Sequence, residues 1–208
     1  MINNPVRGRF NAWLLAALDG YMHGKYAAIK TRLLAGAPPV VVEIGPGSGA
    51  NLRYLPRGTR LIAVEPNRQM HSLLRRRAKK LGIDLDLRGL TGEAMDLPSA
   101  SADLVFSSLV LCTVEDPHQV VAEVHRILKP GGRFACVEHV EAPAGSMLKS
   151  VQWTIRKPWR WLFEGCDLCR NTGELLKSAG FSEVEVNPII WRSVFFPMRH
   201  QITAICIK

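Results

Sequence analysis

The run Val40-Val41-Val42-Glu43-Ile44 meets Gly45-Pro46-Gly47-Ser48-Gly49-Ala50-Asn51 without a break, and this junction most narrows what the chain can become. The β-branched run reads as a strand buried on both faces. Glycines at alternate positions, with Pro46 between them, cannot continue it. They turn the chain sharply and let backbone N–H groups approach a ligand. Glu65 stands twenty residues beyond Gly45 and closes a second apolar run, Leu61-Ile62-Ala63-Val64. An acid there can accept hydrogen bonds from both ribose hydroxyls of a nucleoside cofactor. Strand, glycine-rich turn and acid together form a far more specific set than the glycines alone.

The glycine spacing chooses among cofactors. Dinucleotide binders favour G-x-G-x-x-G, leading into a helix N-terminus that holds a pyrophosphate. Here an acid precedes the turn, in Glu43-x-Gly45-x-Gly47-x-Gly49. A carboxylate beside the turn repels a pyrophosphate but suits a ligand that carries an ammonium group. S-adenosylmethionine (SAM) has that ammonium, a sulfonium and no phosphate. The set resembles the SAM-dependent methyltransferases of the Rossmann-like class, and the resemblance implies SAM as cofactor.

Periodicity organises the rest into alternating strands and helices, expected to form right-handed βαβ units around a parallel sheet. Residues 1–39 read as a helical cover. Phe10, Trp13, Leu14, Ala17, Leu18 and Tyr21 recur at helical spacing behind Arg7 and Arg9, and a second helical stretch runs from about His23 to Leu34. Pro38-Pro39 stops it. The SAM-binding core spans 40–139: a helix from Arg68 to Leu81 ended by Gly82, a weak strand near Leu85–Leu87, and a strand from Ala102 to Val110. A helix from about Pro117 to Leu128 follows, with a stop and tight turn at Lys129-Pro130-Gly131-Gly132, then a strand from Phe134 to Val137. Residues 140–182 read as an acceptor-side insert, crowded with Trp153, Trp159, Trp161 and Phe163, followed by a helix from Thr172 to Ala179. Strands near Val184–Trp191 and Ile202–Ile207 close the sheet within 183–208. The expected fold class is α/β: a three-layer Rossmann-like methyltransferase fold with a seven-stranded, mostly parallel sheet, one antiparallel strand and an N-terminal helical segment. The whole of 1–208 is expected to be one domain.

Charge and cysteine content bound the function. The net charge of +9 invites nucleic acid, yet the basic residues are scattered apart from two small clusters, Arg75-Arg76-Arg77 with Lys79-Lys80 and Arg156-Lys157 with Arg160. No nucleic-acid partner is expected. The five cysteines are widely spread. Cys166 and Cys169 form a C-x-x-C, but no second pair completes a zinc framework, so free thiols in a reducing cytoplasm are expected, with no metal. No apolar run suits a signal peptide or a membrane span, and a cytoplasmic protein without a stable membrane anchor is expected.

Three further blocks narrow the resemblance: Leu109-Val110-Leu111-Cys112-Thr113-Val114, Glu138-His139-Val140, and Phe163-Glu164-Gly165-Cys166-Asp167-Leu168-Cys169-Arg170. Glu123 to Gly132 is similar to a segment shared by ubiquinone-biosynthesis and related small-molecule methyltransferases. These three blocks together are similar to the alkyl-thiol methyltransferases of the methyltransferase-like seven group and their bacterial relatives. Animal members carry an apolar N-terminal anchor that this chain does not show, and Pro46 stands where a cysteine is often found. The resemblance implies a small-molecule acceptor, a thiol such as sulfide, methanethiol or an alkyl thiol. It also implies cofactor roles for Glu43, Gly45, Gly47, Gly49, Glu65 and Glu93. Asn51, Pro66, Met70, Ala94 and Leu109 join them as candidates, because they stand in or beside the same loops. Asp96 rivals Glu93 for the adenine amino group.

The chemistry requires a thiolate. An ordinary thiol with pKa ~8.5 is only a few per cent ionised at neutral pH, so a nearby base helps. His139 at a strand end, Asp167, His23 and Tyr21 are the candidates. Competing activities are carbon or oxygen methylation of a quinone or phenol, N-methylation of a phospholipid, and non-enzymatic SAM binding by a regulator.

Overall fold

The computed structural model describes residues 8, 9, 11, 13, 14, 17–191 and 196–208. Seven strands form one sheet: β1 (Val40–Ile44), β2 (Arg60–Val64), β3 (Asp84–Arg88), β4 (Ala102–Ser108), β5 (Leu128–His139), β6 (Glu183–Ile190) and β7 (His200–Ile207). Their order is β3-β2-β1-β4-β5-β7-β6. Pairing is parallel from β3 through β5, and β7 runs antiparallel to both β5 and β6. β7 is therefore the one antiparallel strand, as the sequence pattern implied.

Alternation along the strands builds a core on each face. Val41, Leu61, Ala63, Leu104 and Phe106 pack against α1 (Asp19–Leu33) and α2 (Arg68–Leu81). Val42, Ile44, Val64, Val105 and Phe134 point the other way, to Val120, Val124 and Ile127 of α3 (Pro117–Ile127) and Leu176 of α5 (Thr172–Lys177). The result is three layers. Local chemistry sets the helix ends. The Asn67 side chain accepts from the Gln69 N–H at the start of α2, and Gly82 ends that helix in the left-handed region. Asp116 accepts from the N–H groups of His118 and Gln119 at the start of α3, with Pro117 in the first turn.

Two expectations need adjustment. The segment Lys129-Pro130-Gly131-Gly132 lies within β5 rather than before it. Leu128 already pairs with Ala102, the register shifts, and pairing resumes at Leu104 with Arg133. Gly131 takes φ +75° there, so the turn survives as an irregularity inside the strand. The insert also contains a helix that the sequence reading did not separate, α4 (Met147–Leu162), with Pro158 inside it. Ser146 caps it by accepting from the Lys149 N–H. At the N-terminus, Gly8, Arg9, Asn11, Trp13, Leu14 and Ala17 are helical, whereas Arg7 and Phe10 lie outside the described residues. Among the described residues no helix is long and apolar enough to cross a membrane.

A buried polar chain joins α1 to β1. The Lys30 ammonium donates to Asn51 Oδ1 at 2.6 Å, and Asn51 Nδ2 donates to Glu43 Oε1 at 2.6 Å. Burial pushes Glu43 up to about 7, against the Asn51 bond and the Lys30 charge, and pulls Lys30 down to about 8. A carboxyl whose pKa is higher folded than unfolded keeps its proton longer in the folded state. Its contribution to stability is therefore lost as pH rises from its unfolded value toward about 7. Glu43→Gln should remove a fall in unfolding free energy on the order of 1–3 kcal/mol between about pH 4.5 and pH 7. Urea titrations of both proteins across that range measure it, and parallel pH profiles would refute it.

Candidate active site

The strand order reverses between β1 and β4, each of which leads its chain outward on opposite sides. Open α/β sheets bind ligands at the carboxyl ends of strands at such a point. One cavity opens there. Ile44 and Gly45 at the end of β1, Val64 and Glu65 at the end of β2, Leu109 and Val110 after β4, and His139 at the end of β5 all line it. Leu14, Leu18 and Met22 line it from the N-terminal helical residues, and Trp159 and Phe163 from the α4 region.

The glycine turn is shaped for close approach. Gly45 has φ +61°, and a Cβ there would come within 2.6 Å of the Val110 side chain. Gly47 has φ +57° and lines the cavity with open space where a Cβ would stand. Glu65, 6% exposed, fixes this turn. Its Oε2 accepts from the Gly47 N–H and its Oε1 from the Asn67 N–H, both at 2.8 Å. Burial pushes its pKa up, while those two N–H groups pull it down. A carboxylate offers about four lone-pair sites, so two remain for a ligand in the cavity. This is the acceptor geometry that a ribose diol needs, and the residues present fit SAM. Pro66 and Met70 line the same region.

Other expected cofactor residues take different places. Glu43 and Asn51 do not line the cavity, because each is buried in the chain that ends at Lys30. They support the turn from beneath. Gly49 also stands off the cavity, where a Cβ would meet Leu74 at 2.9 Å. Its need for glycine is packing and φ +83°. Glu93 does line the cavity, with its carboxylate accepting from the Glu115 and Asp116 N–H groups just ahead of α3. Ala94 does not: its N–H donates to Thr91 O, and the residue is exposed, as is Asp96. Leu109 lines the cavity with φ +61°, a strained backbone for a non-glycine residue.

The base candidates separate sharply. His23 and Tyr21 are not in the cavity. His23 Nδ1 pairs with the Tyr54 hydroxyl at 2.8 Å, and the Lys25 ammonium lies over the Tyr21 ring. Asp167 is buried and saturated. It accepts three hydrogen bonds from Arg156, at 2.7–3.1 Å, and one from the Cys169 N–H. Burial alone would raise its pKa, but Arg156 and that N–H hold it below the usual range. A carboxylate so engaged is a poor proton acceptor. It anchors the loop that follows α4 instead.

His139 does line the cavity, 2% exposed. Its Nδ1 lies 3.8 Å from Cys112 Sγ and 3.7 Å from Cys166 Sγ, and the two sulfurs are 3.8 Å apart. Contact with Cys166, together with burial, pushes the Cys112 thiol well above its ordinary value. The two cysteines also line the cavity. Sequence reasoning placed neither in the site, although both stand in the blocks that carry the resemblance. The C-x-x-C pairing drew attention to Cys169, whose N–H instead serves Asp167.

The loop carrying Cys112 is fixed from below. Glu138, wholly buried, accepts from the Val110 N–H at 3.0 Å, the Cys112 N–H at 3.2 Å and the Ser107 hydroxyl at 3.3 Å. The Asp167 N–H donates to Cys112 O at 2.7 Å, joining the two cysteine-bearing loops.

The chain is similar to known methyltransferases in sequence and in fold. The model of a methyltransferase-domain family matches residues 42–136. Thiol S-methyltransferase TMT1B of Rattus norvegicus is 31% identical over 208 aligned residues, covering 91% of this chain and 84% of that protein. Its Homo sapiens counterpart is 33% identical with the same coverage. Among solved structures, a geranyl diphosphate methyltransferase in complex with SAM superposes with a TM-score of 0.69 at 18% identity, covering 100% of this chain and 93% of that one. That likeness concerns the fold.

Two variants test these assignments. Glu65→Ala should lose charge-assisted hydrogen bonds worth about 1.5–3 kcal/mol each and weaken SAM binding at least roughly tenfold. Calorimetry on a folded variant with unchanged affinity would remove Glu65 from the site. Asp167→Asn should lower thermal stability and turnover by the same factor at every pH, since Asp167 positions a loop rather than moving a proton. A loss that shrinks toward alkaline pH would restore it as a base.

Proposed function

The chain belongs to the SAM-dependent methyltransferases, in the thiol S-methyltransferase group, and from that membership we propose that it methylates the sulfur of a small thiol. The observation that supports this acceptor is the meeting of Cys112, His139 and Cys166 in the same cavity as Glu65. SAM, when bound, supplies an electrophilic methyl group on a sulfonium. Glu65 holds the ribose, the Gly45–Gly47 turn lets the backbone close in, and Met70 and Glu93 flank the nucleoside. Glu65 follows β2 and His139 ends β5, three strand spacings away in the sheet, roughly 14 Å. That separation leaves room for an extended cofactor on one side and a small acceptor beside His139.

Val110, Trp159, Phe163 and Met198 give the acceptor region a mainly apolar wall, with Thr113 and Glu164 as polar members of the same lining. Apolar walls of this kind limit water around a soft, polarisable sulfur. Trp159 and Phe163 pack against each other with ring centroids 4.3 Å apart and planes tilted by 37°. The helical residues near the N-terminus and the 140–182 segment act as cover over this region. Placement of donor and acceptor can be worth several kcal/mol of barrier, up to about 7–11 in well-oriented cases. The remaining demand is ionisation of the thiol, and His139 is the cavity residue through which the site assists it.

His139→Ala should lower kcat roughly a hundredfold near neutral pH. Most of that loss should disappear at alkaline pH, where the free thiol ionises unaided. A panel with labelled SAM, set against sulfide, methanethiol, a longer alkyl thiol, a quinol, a phenol and phosphatidylethanolamine, tests the acceptor. Methylation of an oxygen, carbon or nitrogen acceptor with every thiol untouched would overturn the reading.

A further inference from the structure

We propose that Cys112, His139 and Cys166 bind a zinc ion whose fourth coordination position faces the cavity and receives the acceptor sulfur. This deepens the thiol reading and rests on it for the identity of the fourth ligand. The three donor atoms lie within 4.8 Å of one another, and all three residues are buried. Their separations fit a tetrahedron. Zn–S bonds of about 2.3 Å set two sulfurs about 3.8 Å apart, and a Zn–N bond of about 2.0–2.1 Å sets nitrogen about 3.5–3.6 Å from sulfur. The observed values are 3.8 Å between the sulfurs and 3.7 and 3.8 Å from Nδ1 to them.

The donor set names the ion. Two thiolates and an imidazole select a borderline-soft cation over magnesium or calcium. Three protein ligands with one open position are the arrangement of catalytic rather than structural zinc. Charge agrees as well, because two thiolates neutralise a divalent cation within a buried corner. The second ring nitrogen of His139, Nε2, is buried without a hydrogen-bond partner among the described residues. No carboxylate among the described residues bonds this imidazole to orient it as a general base, and Nδ1, the nitrogen that faces both sulfurs, is the one that would ligate the ion.

The backbone holds the corner before any ion arrives. Glu138 fixes the Cys112 N–H, Cys112 O accepts from the Asp167 N–H, and Gly165 lies against Thr113 O with φ +106°. A side chain at Gly165 would meet that carbonyl at 2.9 Å. The loop bearing Cys166 therefore approaches the loop bearing Cys112 closely because residue 165 is glycine.

The step balances without another reactant. The acceptor R–SH binds zinc as thiolate, and its proton leaves to water, as metal binding by thiols generally requires. A sulfur electron pair forms the new S–CH3 bond while the methyl–sulfonium bond breaks, and that bonding pair returns to the departing sulfur. The product is a neutral thioether, a weaker ligand than the thiolate, so it dissociates and reopens the position.

The full chain, purified without a metal-binding tag or chelator, should carry close to one zinc per molecule by plasma mass spectrometry. After stripping, Co2+ alone should give sulfur-to-cobalt charge-transfer absorption and the intense visible bands of a tetrahedral centre. Methanethiol should shift those visible bands. Cys112→Ser with Cys166→Ser should abolish the charge-transfer absorption, whereas Cys169→Ser should retain it, since that thiol lies outside the trio. The wild-type metal content and cobalt spectrum stand even if the double variant fails to fold. A chain that methylates thiols at full rate without zinc and gives no cobalt spectrum would overturn the metal site and leave the thiol activity standing, with His139 acting alone. A tetrahedral cobalt spectrum indifferent to methanethiol would overturn the open position.

Discussion

Buried carboxylates at strand ends accepting hydrogen bonds from the loops around them are what the site depends on. Glu138 is the penultimate residue of β5 and holds the Val110 and Cys112 N–H groups. Glu65 follows β2 and holds those of Gly47 and Asn67. Glu43 lies in β1 and holds Asn51, which answers to Lys30 on α1. A buried carboxylate is costly unless its lone pairs are used, so each acid gives its loop a strong reason to stay in one conformation. Without these ties the rim would be a set of exposed turns. With them, the sheet edge is rigid enough for the glycine turn and the sulfur–imidazole corner to keep a fixed separation.

This arrangement explains which parts of the site could be read from residues in line. The cofactor side is local in sequence. The strand, the glycine turn and the acid all fall between Val40 and Glu65, and each reports its own constraint: β-branching, positive φ, a charge at a strand end. Glu43 shows the limit of that reading. An acid beside a ligand-binding turn looks like a ligand contact, but in the fold its side chain faces Asn51 and the α1 lysine. Direction, not position, separated support from contact, and a strand's alternation decides it only once the neighbouring layers are known.

The acceptor side was legible only at His139, whose place at a strand end singled it out, and the two cysteines beside it were not. Cys112, His139 and Cys166 come from the loop after β4, the end of β5 and the loop after α4. No spacing rule links residues so far apart, and the conspicuous Cys166-x-x-Cys169 pair suggested a motif that the backbone does not make. Asp167 misled similarly. It sits beside Cys166 in sequence, yet turns to Arg156 of α4, and only the helix that the aromatic insert forms supplies that arginine. The insert hid its helix because Pro158 and the dense tryptophans read as a break. The Ser146 cap and an apolar face including Leu148 and Trp159 were the quieter signals.

The two halves of the site are therefore constrained in unequal ways. The nucleoside half uses backbone geometry that only glycine permits at Gly45, where a methyl group would strike Val110. Substitution there disturbs the turn and the loop that carries Cys112 together, because Val110 and Cys112 share the Glu138 carboxylate. The acceptor walls, by contrast, are side chains on α4 and the chain after it, Trp159, Phe163 and Met198, with no role in holding the turn. Acceptor size can change through those residues while the cofactor cradle and the sulfur–imidazole corner stay where the sheet puts them. A fold arranged this way keeps two constraints apart, since the sulfur–imidazole corner is held by the strand edge and the neighbouring apolar wall by a separate helix.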